Sequence, residues 1–230
     1  MPDFKGYEWV FWQGLEVTLA VGLSCIPVVL VMGLLGAWAK LSSNPIARSI
    51  GYTYTTIVRG VPELVLIIEI YYGLTEVLQF LLSAVSGGEV LVDIDPFSAG
   101  TITLGLIYGA FATEVFRGAY LAVDRGQIEA ARAFGMHRNL AFLRIVFPQM
   151  MRFAIPGLGN VWMVLIKATA LMSVIQLPEL MRLSDVAARA VRQPFTFYFG
   201  AIMIYLAITV VSIYAFRHAE DWANRGIRRA

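Results

Sequence analysis

Gly126-Gln127-Ile128-Glu129-Ala130-Ala131-Arg132-Ala133-Phe134-Gly135, followed by Ile145 and Pro148, is the stretch on which the reading of this chain turns. Glu129, Ala130, Ala131 and Ala133 favour helix, and Gly135 suits the left-handed cap that ends one. The spacing predicts a short helix over 126–134 and a second over 137–147. A further helix is expected to begin at Pro148, a residue well placed in a first turn. Ala130 and Ala131 carry little side-chain bulk, so such a helix fits deep in a groove on another protein, where Glu129 meets a cation or an amide. The bare tripeptide equally suits an amphipathic loop among headgroups, its arginines facing anionic lipid. Apolar runs on both sides make the stretch a loop of a membrane protein.

Composition agrees. Of 230 residues, 58% are hydrophobic and only 15% charged, against about 25% charged in ordinary soluble domains. A bilayer-spanning helix takes about 20 mostly apolar residues, and five such runs occur, over about 17–38, 62–85, 98–123, 155–175 and 195–216. They predict one all-α integral membrane domain over 1–230, with the long polar loop at 124–152. Pro27 is expected to kink the first span, and Tyr7, Trp9 and Trp12 favour the membrane-water interface. Arg59-Gly60-Val61-Pro62 interrupts the next run, which divides it into a short leading helix and a second span. Residues 178–194 read as a polar, partly helical connector, and 87–96 as an acidic one with Asp93 and Asp95. Asp3, Lys5 and Glu8 are mixed in sign and precede no small-residue cleavage site, so the first span is expected to serve as its own insertion signal.

Orientation follows from the basic residues. Lys40, Arg48 and Arg59, then Arg117, Arg125, Arg132, Arg138, Arg144 and Arg152, then Arg217, Arg225, Arg228 and Arg229 fall on one side of the five spans. Lys5, Arg182, Arg189 and Arg192 fall on the other. Positive charge marks the cytoplasmic side, which puts the amino terminus in the periplasm and the carboxyl terminus in the cytoplasm. Confinement of the basic residues to the segments between spans argues against nucleic acid as a partner. Cys25 is alone, so no intrachain disulfide forms. His137 and His218 lie in separate segments with no metal-site spacing. The chain has no Gly-x-Ser-x-Gly elbow, no His-Glu-x-x-His and no phosphate-binding Gly-x-x-x-x-Gly-Lys-[Ser/Thr] loop. It reads as non-catalytic, with no metal, no catalytic residues and no ATP hydrolysis of its own.

Ionisable groups inside the membrane cost about 2.5 to 3.5 kcal/mol each and face protein or water. Glu63, Glu69 and Glu76 lie in or near the second span, Glu114 in the third, and Lys167 with Thr169 in the fourth. Glu69 and Glu76 are seven apart and share a helix face with Tyr72 and Gln79, a stripe suited to a cationic solute. In the alternative, one glutamate pairs with Lys167 and the rest sit near headgroups. Gly105 and Gly109 permit close helix approach, within the chain or at an interface with a partner subunit.

Arg59-Gly60-Val61-Pro62, Asp93-Ile94-Asp95-Pro96, Thr113-Glu114-Val115-Phe116-Arg117-Gly118-Ala119 and Lys167-Ala168-Thr169-Ala170-Leu171 accompany the Glu129 loop. Together they resemble the permease subunits of type I ABC importers of the polar amino-acid family, in particular one permease of the histidine/lysine/arginine/ornithine and opine importers. The resemblance covers about residues 10–220. Phe147 departs from it, since the family's loop commonly has Leu before the proline. The resemblance implies a multi-pass protein of the bacterial inner membrane that moves polar, cationic amino acids or an opine by alternating access. Glu129, Ala130, Ala131, Gly135, Ile145 and Pro148 are then the residues that couple to a dimer of ATPase subunits, which use ATP and Mg. Further partners are a periplasmic solute-binding protein and a second permease, either a paralogue, the preferred case, or another copy of this chain. A proton-coupled secondary transporter of small polar solutes is a rival, but five spans without inverted repeats weigh against it. A non-transporting scaffold leaves the buried carboxylates and the small-residue helix without a shared explanation.

Overall fold

Within hydrocarbon, a lone segment satisfies its backbone N–H and C=O groups only as a helix, and the apolar runs fold accordingly. The computed structural model describes residues 4, 6–88, 90–92 and 94–225. Asp3, Lys5, Asp93, Arg228 and Arg229, used above for charge, topology and resemblance, lie outside the described residues. Among the described residues the helices are, in order, α1 (Trp9–Leu41), α2 (Pro45–Gly60), α3 (Glu63–Ser86), α4 (Pro96–Leu121), α5 (Arg125–Ala133), α6 (Arg138–Ile175), α7 (Leu180–Val191) and α8 (Pro194–Ala223). Five of them, α1, α3, α4, α6 and α8, are long and apolar enough to cross a membrane.

α1 starts well before the apolar run expected at Val17. Its first turns are held by tertiary contacts that hydropathy does not register. Val10 is buried with Phe197, Ala187 and Ala188, and the Phe11 ring stacks on Phe197 at 5.9 Å. At 33 residues α1 extends about 50 Å at 1.5 Å per residue, beyond the roughly 30 Å hydrocarbon layer. It continues as helix through Pro27.

The separate helix expected over 137–147 is instead the beginning of α6, which runs on without a break at Pro148. The reason is a π-turn, Phe142–Val146, just ahead of the proline. The wider turn makes room for a ring that would clash with the carbonyl of a tight α-turn. Gln149 Nε2 then donates to the Ile145 carbonyl at 3.0 Å. A second π-turn, Glu69–Gly73, interrupts α3, and α6 ends in a 3-10 stretch, Thr169–Ile175.

The core is the seam between α1 and α4. A Cβ on Gly36 would stand 2.2 Å from Thr113 Oγ1, and one on Gly109 would stand 2.6 Å from Met32 Cβ. Glycine at these positions lets the two backbones close together, so Gly105 and Gly109 serve packing inside the chain. Tyr108, Phe116, Leu104 and Ile107 fill the seam. α6 and α8 pack around it, tied by the Trp162 Nε1 hydrogen bond to Ser212 Oγ at 2.9 Å. α3 lies at the edge and is covered little by its own chain.

Candidate coupling surface and polar sites

α5 is built to hold its shape outside the bundle. Asp124 accepts a hydrogen bond from the Gly126 amide at 2.6 Å and caps the start. At the other end Gly135 takes φ +78°. Its N–H donates to the Arg132 carbonyl at 2.9 Å, and the Met136 N–H donates to that of Ala131 at 3.0 Å. The helix packs on the π-turn 142–146. Glu129, Ala130 and Ala133 face outward, whereas Ala131 is buried in the chain's own interior and Ile128 is half-buried. The two alanines thus serve different ends: Ala131 lets α5 sit close to the bundle, and Ala130 keeps the outer face flat. Ile145 is half-buried within the π-turn and Pro148 is exposed in the turn beyond it. Phe134, not singled out from the sequence, is 85% exposed at the end of the helix. An apolar ring flanked by Arg132 and Gly135 was the available signal.

The ionisable candidates divide into groups. Glu114 is held between two cations: its carboxylate pairs with Lys40 Nζ and, at 2.9 Å, with Arg117 Nε. Lys40 also lies 4.3 Å from the Tyr52 ring centroid. Lys40 counts among the basic residues between spans, yet α1 carries it to its last turn and buries it. Removing one partner of a buried pair costs about 3 kcal/mol or more, so Lys40→Met is expected to lower the thermal stability of the purified protein by that order. A change under about 0.5 kcal/mol, typical of a surface site, would show that Arg117 alone balances Glu114.

Glu63 accepts a hydrogen bond from the Tyr108 hydroxyl at 3.0 Å. Tyr108 stacks on Phe111 at 5.7 Å, and the Arg59 guanidinium lies 5.1 Å from the Phe111 centroid. The break between α2 and α3 is therefore anchored on α4 from both sides. Glu69 and Glu76 are exposed on α3. The seven-residue spacing that aligned them assumed an unbroken α-helix, and the π-turn between them changes the phase. Lys167 is exposed and makes no ion pair with a described residue. Thr169 is buried and donates to the Ile166 carbonyl at 2.7 Å. The two point to different surroundings and do not converge.

Residues 29–223 match the family described as binding-protein-dependent transport system inner membrane component. The chain belongs to this family. It is similar to the histidine/lysine/arginine/ornithine transport system permease protein HisQ of Escherichia coli (strain K12), 44% identical over 225 residues that cover 98% of each chain. It is 43% identical to the octopine transport system permease protein OccQ of Rhizobium radiobacter over 99% of this chain and 95% of that one. Among solved structures, an amino acid ABC transporter with histidines superposes with a TM-score of 0.80 at 30% identity, over 95% of this chain and 98% of that one. The MetNI methionine ABC transporter, at 15% identity and a TM-score of 0.71 over 95% of this chain and 98% of that one, shares the fold. The family's fold is that of a type I ABC importer membrane domain, and its place is the inner membrane.

One polar site of this permease escaped the sequence reading. Glu179, in the connector between α6 and α8, is fully buried. Its carboxylate accepts from the amides of Met181 at 2.8 Å and Arg182 at 2.7 Å, and from the Tyr205 hydroxyl at 3.3 Å. It caps α7. Beside it the Leu180 amide donates to Thr18 Oγ1 of α1 at 3.1 Å. Burial pushes the Glu179 carboxyl up to about 7, against the amides of Met181 and Arg182 and the Tyr205 hydroxyl, which favour its charged form. No cation is paired with it among the described residues.

Proposed function

We propose that this chain is one of two permease subunits of an ATP-driven importer of cationic amino acids or opines, and that α5 is where the ATPase acts. The observation that carries the reading is the rigidly capped α5, whose outer face offers Glu129, Ala130, Ala133 and the exposed Phe134 to a partner. The excess of Lys and Arg beside α5 and at the carboxyl terminus supports a cytoplasmic position for that face. ATP and Mg then belong to the partner ATPase dimer, and a periplasmic solute-binding protein delivers substrate on the α7 side. Support for the substrate class comes from relatives named for histidine, lysine, arginine and ornithine, for octopine, and for arginine.

Closure of the ATPases on ATP moves α5, and α5 moves α6 through the π-turn it packs against. The helices then tilt to open the pathway outward. α3 supports a polar route beside it: a span-length helix with Glu69 and Glu76 uncovered by its own chain requires protein or water against it. Glu63, at the head of that helix, is the third carboxylate of the route. Glu114 and Lys167 contribute at its edges. A second permease, a paralogue by preference, supplies the remaining wall.

The test is reconstitution of the chain with its co-purifying subunits in proteoliposomes, with labelled arginine and the binding protein outside and ATP inside. Uptake that needs enclosed ATP and survives a proton ionophore is the expected result. Uptake that follows an imposed proton gradient without ATP would replace this reading with a proton-coupled carrier.

A further inference from the structure

A cavity of about 860 Å³ lies beneath the inner face of α5, within the roughly 300 to 1,000 Å³ range of small-molecule sites. The end of α1, the Ser42-Ser43 turn, the end of α4, α5 and the start of α6 enclose it. Its lining is divided. Among the described residues that line it, the only charged side chains are Arg132 and Arg138, and neither is ion-paired to a described residue. Ser42, Ser43 and Asn139 add hydrogen-bonding groups near them. The rest is largely apolar, and the α1 part of the wall includes Leu34 and Trp38, 40% and 68% exposed. Those two residues belong to a span-length helix, so the cavity opens from a doubly cationic mouth onto the hydrocarbon layer.

We propose that this cavity binds one anionic phospholipid, its phosphate between Arg132 and Arg138 and an acyl chain along Leu34 and Trp38. The charge pattern selects this occupant. Two guanidiniums in a described lining that holds no carboxylate, neither of them ion-paired to a described residue, favour a phosphodiester, and basic pockets between helices at a membrane face bind anionic headgroups. A free anion would leave the apolar floor unfilled. A loop of the ATPase is disfavoured by the helical wheel of α5: Ile128 and Arg132, one turn apart on one side, face the cavity. Ala130 and Ala133 lie toward the far side of the helix, where the proposed ATPase contact lies, and Glu129, three residues before Arg132, stands between the two faces. The bound lipid bridges α1, α5 and α6, and so sets how firmly the coupling helix is attached to the bundle.

The test uses the purified importer, this chain with its partner subunits, stripped of lipid and titrated with phosphatidylglycerol or phosphatidylcholine while bound lipid is counted by native mass spectrometry. Wild type is expected to take up phosphatidylglycerol in preference to phosphatidylcholine. Each basic group near an anionic headgroup contributes about fivefold, so Arg132→Gln with Arg138→Gln is expected to bind phosphatidylglycerol about thirtyfold more weakly. Equal binding by the double variant, or no headgroup preference in wild type, overturns the proposal. So does phosphatidylglycerol that the permease holds alone but releases on adding the ATPase, which would give the cavity to a protein. Should the double variant fail to assemble, a photoactivatable phosphatidylglycerol on wild type decides. Labelling within 34–43 and 138–143 supports the site, and labelling only elsewhere removes it. Loss of the ATPase from the wild-type preparation is a separate failure, one that strikes the coupling role of α5 and leaves the lipid measurement standing.

Discussion

Gly135→Pro, Glu129→Arg and Phe134→Asp are each expected to abolish ATP-driven uptake in membranes that hold the normal amount of this protein. Gly135 sits at φ +78°, a conformation closed to proline, whose ring holds φ near −65°. The substitution also deletes the N–H that closes the end of α5 on Arg132. No atom outside its own neighbours approaches within 4 Å of the Gly135 Cβ position, so the damage stays in the loop and spares the spans. Phe134 tests the same contact on the face that this chain turns to the partner. Its ring is 85% exposed, and large aromatic anchors at interfaces contribute about 2 kcal/mol or more when truncated. Aspartate forfeits that contribution and adds a charge to be desolvated, which together weaken ATPase binding by about a hundredfold or more. The readouts are ATP-dependent arginine uptake and the amount of ATPase that co-purifies. Normal uptake by a well-inserted Gly135→Pro protein would remove α5 from the coupling path.

Particular residues show why parts of this structure were legible in the sequence and others were not. The span-length helices follow from apolar runs because hydrocarbon leaves the backbone no alternative. The Gly135 cap follows from a local steric rule. Both signals are contained in a few neighbouring residues. The π-turns at Glu69–Gly73 and Phe142–Val146 carry no compositional mark, so the alignment of Glu69 with Glu76 and the break at Pro148 were drawn on straight helices. Ala130 and Ala131 are the same residue type side by side. Only the packing of α5 separates an outward alanine from a buried one. Lys40 and Glu179 lay in segments whose polarity suggested solvent, and distant residues determine their burial: Glu114 and Tyr52 for one, Thr18 and Tyr205 for the other. Glutamate is also absent from the favoured N-cap residues, which hid the capping role of Glu179.

Glu179 is expected to make the stability of this protein fall as pH rises toward neutrality. Its carboxyl is pushed up to about 7 in the folded chain from an ordinary 4.5, chiefly because no water reaches it. Between those two pH values the folded state keeps a proton that the unfolded state releases. The stabilisation is therefore complete below about pH 4.5, declines as pH climbs to about 7, and is level beyond. The full difference is about 3 kcal/mol. Glu179→Gln removes the titration while retaining a carbonyl that accepts from an amide of α7. Thermal unfolding of the purified protein is expected to be several degrees lower at pH 8.5 than at pH 5 in wild type, and the Glu179→Gln variant is expected to lose that dependence. Glu179→Leu leaves the Met181 and Arg182 amides and the Tyr205 hydroxyl without their acceptor. Each buried orphan costs about 1 to 3 kcal/mol, so this variant is expected to release α7 from α1 and α8 at every pH. Hydrogen exchange at the amides of 180–184 reads that release directly. Two outcomes would show that water reaches Glu179 and that it serves α7 only as an ordinary exposed cap: a wild-type unfolding temperature that is flat with pH, or protected amides in the leucine variant.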